Sequence, residues 1–248
     1  MAANNNKKEW KSPYNEFNSI KILGFRENLE SIVRGKFLPP INIDTDITNK
    51  CNFNCIWCNA KGFRCKNQAS LPEEHLLKLA DFYKEWGVKA TCVAGGGEPM
   101  MSPSFADFLY RLHKNGVKSG VITNGSFLDE KNARAVAECS SWCGISIDAG
   151  SNEVFMKVKG LKDEKMFDKV ISNIKNLVKT KKQLKSRLEI TYKYLLHSFN
   201  AKDIFMAAKL AKSLGMNTFH LRPVCWDNLY NQEHEEPINF SDYIEIIE

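Results

Sequence analysis

Three of the chain's 8 cysteines, Cys51, Cys55 and Cys58, lie close together in the segment TNKCNFNCIWCNA. In a reducing compartment such a cluster is more often a metal site or a catalytic group than a set of disulfides. A [4Fe-4S] cluster has four irons, so three thiolates leave one iron open for a small molecule. Three thiols at this spacing would thus suit an iron-sulfur centre with one coordination position free for chemistry.

Zinc is the alternative metal for these thiols. Structural zinc sites take four protein ligands, and Cys65 follows the cluster closely enough to supply the fourth. The corresponding function would be a zinc-stabilised binding module whose basic surface holds RNA or another acidic partner. The remaining thiols are interpreted as small apolar or loop residues; they are Cys92, Cys139, Cys143 and Cys225.

The elements that position the cysteines repeat along the chain. From residue 41 onward a short β-branched run alternates with an amphipathic helix, which predicts parallel strands joined by crossover helices. The predicted strands span 41–47, 89–94, 119–124, 143–149, 188–195 and 217–224. Ser70 and Glu73 predict a capping box at the start of the first long helix.

The predicted fold class is α/β, an incomplete (βα)6 TIM-like barrel with an N-terminal extension, because six units are fewer than the eight that close a full barrel. An open doubly wound sheet is the competing layout. We expect an N-terminal extension (1–40), the partial barrel (41–226) and a C-terminal segment (227–248) that begins a further, truncated element. In either layout chemistry belongs at the carboxyl ends of the strands, where the cysteines and the loop GGGEP (95–99) lie.

Alternation along the strands predicts a polar interior, since successive side chains point to opposite faces. One face of each strand is apolar and would lie under helices, while the other carries charges and hydroxyl groups. Asp44, Asp46, Glu189, His220 and Arg222 belong to this polar face. They would position a polar substrate or move a proton. Alternatively, these groups pair with one another to satisfy their burial.

The segment CNFNCIWC resembles the signature loop of the radical S-adenosylmethionine (SAM) superfamily, Cys-x3-Cys-x-aromatic-Cys, with Trp57 at the aromatic position. The loop GGGEP resembles that family's Gly-Gly-Glu-Pro loop after strand two. The resemblance implies that Cys51, Cys55 and Cys58 hold a [4Fe-4S] cluster. It also implies that the loop at Gly96, Gly97 and Glu98 binds the methionine amino group of SAM, because glycine lets the main chain approach a ligand closely.

The resemblance extends to the later strands and covers residues 41–224. ITNG (122–125) corresponds to the third-strand end that borders the cofactor, and SIDAG to a fourth strand that contacts the ribose or the methionine carboxylate. Strand five supplies further polar contacts, and the backbone of strand six flanks the adenine. The cofactor-binding residues implied are Thr123, Asn124, Ser146, Asp148, Thr191, Lys193 and Leu221.

The activity implied by the resemblance is reductive cleavage of SAM at the cluster. The resulting 5'-deoxyadenosyl radical then abstracts hydrogen from a polar small-molecule or peptide substrate. The enzyme needs an electron donor such as a flavodoxin or ferredoxin, which Lys50, Lys61, Arg64 and Lys66 around the cluster loop would attract. Ordinary solubilising charge is the alternative role of these four residues.

Composition limits the other partners. The net charge is +6, yet the Lys-rich stretches are short and separate, and no appended RNA-binding motif is visible, so nucleic acid is not the expected partner. No apolar run approaches the roughly 18 residues that cross a bilayer, and the amino terminus lacks the apolar core of a signal peptide. We therefore expect a cytoplasmic enzyme without a membrane partner.

Overall fold

The structure is a computed structural model that describes residues 16–17, 19–66 and 68–224, with the backbone alone at position 65. The strands are β1 (Asn42–Asp46), β2 (Ala90–Ala94), β3 (Lys118–Thr123), β4 (Ser140–Ser146), β5 (Glu189–Leu196) and β6 (Thr218–Pro223). The helices are α1 (Arg26–Val33), α2 (Lys61–Lys66), α3 (Glu73–Trp86), α4 (Phe105–Lys114), α5 (Glu130–Cys139), α6 (Asn152–Lys159), α7 (Met166–Gln183) and α8 (Ile204–Ser213). The predicted C-terminal segment, 227–248, lies outside the described residues.

The six strands form one parallel sheet in the order β1-β2-β3-β4-β5-β6. Every strand therefore pairs with its neighbour in sequence. A doubly wound sheet requires the strand order to reverse at a switch point, and no reversal occurs here. The predicted partial barrel is confirmed, and it stays open because β6 does not pair with β1 among the described residues.

The two faces of the sheet differ as the alternation predicts. On β5, Ile190, Tyr192 and Tyr194 are fully buried beneath the helices, whereas Thr191 and Lys193 on the opposite, inner face are only half-buried. Burying an aliphatic or aromatic side chain of this size contributes about 1.5–3 kcal/mol. The helix-facing side thus stabilises the sheet, and the inner face is left to polar side chains.

The amino-terminal end of the inner face is filled by Trp142. A Cβ atom at Gly120 would lie 2.3 Å from the indole of Trp142, so only glycine leaves room for that ring. Phe17 packs edge-on against Trp142, with ring centroids 5.8 Å apart, and Glu16 forms an ion pair with Lys118. These contacts join the chain before β1 to the end of the sheet opposite the cysteines.

The predicted capping box of α3 is wrong. Pro72 is the N-cap residue, and no side chain in the described part of the chain caps the helix. The hydroxyl of Ser70 instead forms a hydrogen bond with that of Thr48 (2.7 Å), and the two residues form an isolated antiparallel bridge. Ser70 lies too early to reach the helix, so its hydroxyl fixes the chain that leads from β1 to the cysteines.

Candidate active site

One cavity of about 180 Å³ at the carboxyl ends of the strands collects most of the predicted site residues. The predicted residues that line it are Cys51, Cys55, Cys58, Gly96, Gly97, Glu98, Thr123, Asn124 and Ser146. Phe53, Arg64 and Lys159, which no cofactor motif of the sequence includes, line it as well. A larger groove of about 670 Å³ lies at the opposite ends of the strands, and no predicted site residue lines it.

Five predicted cofactor residues lie outside this cavity lining: Trp57, Asp148, Thr191, Lys193 and Leu221. Trp57 is buried, and its ring centroid is 6.0 Å from that of His197. Thr191 and Lys193 lie on the inner face of β5, and the side chain of Leu221 packs against the core. Their cofactor contacts stay predictions.

The glycine loop after β2 lies against the chain that precedes Cys51. A Cβ atom at Gly97 would lie 2.1 Å from the carbonyl oxygen of Lys50, which is a forbidden approach for any residue except glycine. The Glu98 amide donates to the same Lys50 carbonyl (2.8 Å), and the Gly97 amide donates to the Thr48 carbonyl (3.2 Å). The main chain of this loop is thereby held beside the first thiol.

Asn52, between the first two cysteines, joins the cysteine loop to the end of β3. Its side-chain oxygen accepts a hydrogen bond from the side-chain amide of Asn124 (2.9 Å), and its own side-chain amide donates to the Ser126 hydroxyl (3.0 Å). Asn124 also lines the cavity. The predicted role of Asn124 beside the cofactor is therefore accompanied by a structural one, since it fixes the loop that carries the thiols.

Helix α6 holds the other side of the cysteine loop. The amides of Asn54 and Ile56 donate to the carbonyls of Lys159 (3.0 Å) and Val158 (3.1 Å). Gly160, which ends the helix in a left-handed conformation (φ +60°), packs so closely that a Cβ atom would lie 2.2 Å from the Asn54 carbonyl oxygen. The apolar pattern of the sequence does not predict this helix, although Gly160 is a typical C-terminal signal.

Lys159 and Asp148 form a buried ion pair between α6 and the end of β4. Burial by itself lowers the pKa of Lys159, but the Asp148 carboxylate and the nearby Cys55 thiol outweigh it and raise the pKa. Asp148 adopts a left-handed backbone (φ 59°), and its carboxylate also accepts from the Leu195 amide (2.7 Å). The carboxylate predicted to contact SAM is thus occupied by protein groups.

The Glu98 carboxylate joins the glycine loop to β3. It is buried and accepts hydrogen bonds from the Thr123 hydroxyl and the backbone amide of Asn124, both at 2.7 Å. Burial nevertheless raises its pKa to about 7, because the hydrogen bonds offset the lost hydration only in part. Glu98 therefore acts on the site by holding the loop in place.

Arg64 does not belong to a surface patch, which corrects its predicted role in attracting an electron donor. Its guanidinium is buried and donates to the Phe53 carbonyl (3.2 Å) and to the Cys58 sulfur (3.5 Å), while its Nε atom has no hydrogen-bond partner among the residues that the structure describes. The other three residues of the proposed patch, Lys50, Lys61 and Lys66, are exposed. The guanidinium is placed to interact with whatever Cys58 binds.

The donor set fits an iron-sulfur cluster. Three sulfur donors face one cavity, and the cations of Arg64 and Lys159 line it with them, which suits an anionic cluster of thiolates, sulfide and iron. Burial raises the pKa of Cys55 to about 11 and that of Cys51 above its ordinary value, so iron must displace protons when it binds. Across 16–224, with the gaps given above, no three His, Cys, Asp or Glu side chains are arranged around a single ion. The side chains of Cys65 and Cys225 lie outside the described residues.

Among the described residues, none of the helices combines the length and the apolar character that a bilayer crossing requires.

Comparison with known proteins gives a consistent family. A model described as "Radical SAM superfamily" matches residues 45–236. A relative from Saccharolobus islandicus, named "Probable GTP 3',8-cyclase", is 26% identical over 205 residues, which are 81% of this chain and 63% of that protein. The chain thus spans less than two thirds of this curated relative. Neither finding supports the zinc-stabilised binding module.

Solved structures share the fold. Streptococcus suis SuiB, bound to its precursor peptide SuiA, superposes with a TM-score of 0.69 at 14% identity, covering 100% of this chain and 53% of SuiB. The protein anSMEcpe, with bound SAM and the Cp18Cys peptide, has a TM-score of 0.58 at 19% identity and covers 80% of this chain and 54% of that one.

Proposed function

Because this chain belongs to the radical SAM superfamily, whose members are enzymes that bind a [4Fe-4S] cluster and SAM, we propose that it reductively cleaves SAM. When bound, the cluster and SAM supply a 5'-deoxyadenosyl radical that abstracts hydrogen from a substrate. The observation that carries the proposal is the arrangement of Cys51, Cys55 and Cys58 around the cavity that the glycine loop also lines.

The protein residues have distinct tasks in this proposal. The three thiolates ligate three irons, and the main chain of Gly96 and Gly97 binds the amino group of SAM. Glu98 and Asn52 hold the loops at the distance that this binding needs, through their hydrogen bonds to the end of β3. Such positioning is the main contribution of a protein to chemistry that a cofactor performs.

The substrate of the proposal is a polar small molecule or a peptide. The name of the relative points to GTP as the substrate, whereas the two structural neighbours were solved with peptides. The polar inner face of the sheet, with Asp44, Asp46 and Lys193, supports a polar substrate without choosing between these classes.

The electron donor of the proposal is a flavodoxin or a ferredoxin. Lys50, Lys61 and Lys66 are exposed around the cysteine loop and support the approach of an acidic protein. A cytoplasmic location completes the proposal, because a reducing compartment keeps the three thiols available to iron.

The experiment is anaerobic reconstitution with iron and sulfide, followed by incubation with SAM and dithionite. The wild type is expected to form 5'-deoxyadenosine, and Cys58→Ala is expected to form none because one iron loses its ligand. A fully reconstituted wild type that leaves SAM intact would refute the proposed function.

A further inference from the structure

Three basic side chains converge on the inner face of the sheet at β5 and β6. Lys193 on β5 pairs in register with His220 on β6, and Arg222 follows His220 by two positions and so shares its face. Adjacent strands lie about 4.8 Å apart, so the three side chains are neighbours. We call these residues the β5–β6 cationic patch.

Within the described residues no ion pair neutralises the patch, although the Asp148 carboxylate, itself paired with Lys159, acts electrostatically on Lys193. Within the described ranges, none of its three side chains forms an ion pair or a hydrogen bond with another side chain. Burial lowers the pKa of His220, and repulsion from the cations of Lys193 and Arg222 lowers it further. Grouping cations without a counter-ion is unfavourable, so the arrangement is one that a bound anion would stabilise.

The orientation of Lys193 is built into the fold. Gly144 on β4 lies beside it, and a Cβ atom at Gly144 would come within 2.8 Å of Cδ of Lys193. Glycine therefore makes room for the aliphatic stem, which lies along the inner face. Burial lowers the pKa of Lys193, as does Arg222, whereas Cys92 on β2 and the Asp148 carboxylate raise it; the net effect is a lower pKa.

The patch lies opposite a region of the other sign. Asp44 and Asp46 are exposed on the inner face of β1, at the far edge of the sheet. Toward the carboxyl ends of the strands the inner face is thus acidic at β1 and basic at β5 and β6, while Glu189 lies on the same face at the amino-terminal end of β5. A ligand with one anionic end would bind in a single direction, with that end on β5 and β6.

The patch also adjoins the cavity of the thiols. Ser146 lines that cavity and pairs in register with Lys193 on the next strand. A small molecule whose anionic end lies at Lys193 can therefore reach the cavity along the inner face of the sheet.

We propose that Lys193, His220 and Arg222 bind the anionic group of the substrate, a phosphate or a carboxylate, so that Lys193 contacts the substrate in place of the SAM contact expected for it from the sequence. The proposal rests on the proposed function, because it takes the molecule bound there to be the one that reacts at the cluster. It narrows the polar substrate of that function to one with an anionic end. Arg222 and Lys193 would contact the anion with charge-assisted hydrogen bonds, and a ring N–H of His220 would donate a further hydrogen bond.

The test is calorimetric titration of the reconstituted full chain with inorganic triphosphate and, separately, with citrate. Saturating SAM is present throughout, so that its carboxylate is already bound. The variants are Lys193→Met and Arg222→Met, which remove one charge at similar length. Lys175→Met, on the exposed face of α7, is the matched control.

We expect saturable binding to the wild type, at least ten-fold weaker in Lys193→Met and Arg222→Met and unchanged in Lys175→Met. The anion that binds more tightly shows whether phosphate or carboxylate is the preferred group. Absence of saturable binding to the wild type, equal weakening in the control, or unchanged affinity in both patch variants would overturn the proposal.

The proposed function is decided separately. Formation of 5'-deoxyadenosine by the wild type with SAM and dithionite, without added anion, reports cleavage alone. Its absence would refute the proposed function, while the titration would still decide whether the patch binds anions.

Discussion

Two buried cations distinguish the surroundings of the three thiols. Lys159 is neutralised by Asp148, but Arg64 has no carboxylate partner among the described residues and contacts only a carbonyl and the Cys58 sulfur. Leaving a guanidinium buried in this way is unfavourable unless another negative group is present. A cluster bound through Cys58 would provide that group.

Removing Arg64 is therefore expected to make the cluster harder to reduce. Arg64→Met loses both a positive charge and an N-H donor to a ligating sulfur, two determinants of cluster potential. We expect a midpoint potential lower by on the order of 60 mV, the equivalent of a tenfold change for a one-electron couple. A redox titration followed by electron paramagnetic resonance (EPR) measures it.

Arg134→Met is the control for this change, since Arg134 is exposed on α5 and pairs with Glu138. Its potential should equal that of the wild type. Equal potentials for Arg64→Met and Arg134→Met, at equal iron content, would show that the guanidinium does not act on the cluster.

Glu98 is expected to make stability depend on pH. Its pKa of about 7 in the folded protein lies above its ordinary value of 4.5, so the folded state binds the proton more tightly than the unfolded state. This stabilising contribution is present below pH 4.5 and is lost as the pH rises through 7. By proton linkage the loss between pH 5 and pH 8 is about 2 to 3 kcal/mol.

Urea unfolding of the wild type and Glu98→Gln at several pH values tests this prediction. Glutamine does not ionise, so the free energy of unfolding of the variant should lack this decrease. Parallel pH profiles for the two proteins would mean that Glu98 carries no perturbed proton.

The contact between the glycine loop and the cysteine loop can be tested by substituting two neighbouring glycines, one at a time. Gly97→Ala places a Cβ atom 2.1 Å from the Lys50 carbonyl oxygen, whereas at Gly96 the nearest atom is 3.5 Å away. Overpacking of this kind costs about 1–3 kcal/mol. Urea unfolding should show that loss for Gly97→Ala and a smaller one for Gly96→Ala, and the same stability for both would contradict the contact.

The ion pair between α6 and β4 is expected to be strongly coupled. Lys159→Met leaves Asp148 buried without its counter-charge and should lower the free energy of unfolding by about 3–5 kcal/mol. Adding Asp148→Asn should recover part of that loss, because asparagine tolerates the left-handed backbone and is uncharged. A double variant no more stable than Lys159→Met, in chemical denaturation, would exclude this coupling.

Sequence reasoning located the strands well because their β-branched runs are short and bounded by clear helix stripes. It placed β4 at 143–149, whereas the strand is Ser140–Ser146, since Ser140 and Ser141 carry little strand propensity. Helix α6 was missed because its eight residues present a weak apolar stripe, with only Phe155, Val158 and Lys159 buried. A buried lysine is the reverse of what amphipathic patterning assumes.

In the whole molecule, the residues that two sequence motifs place at fixed spacings share one cavity, although Trp57 of the cysteine motif lies outside its lining. The three cysteines and the glycine loop have fixed spacings along the chain, and they share one cavity. The partners of Arg64 and Asp148 could not be inferred, because their burial depends on how α2 and α6 fold back onto the cysteine loop. Only the tertiary structure shows that Arg64, which the sequence assigns to the surface, is buried beside Cys58.

The proposed activity requires that three thiolates hold a [4Fe-4S] cluster and leave one iron open to SAM. The EPR spectrum of the reduced, reconstituted protein, recorded before and after addition of SAM, tests it most directly. We predict a cluster signal that changes when SAM binds. A cluster signal that saturating SAM leaves unaltered would contradict the open iron, and with it the account of this site.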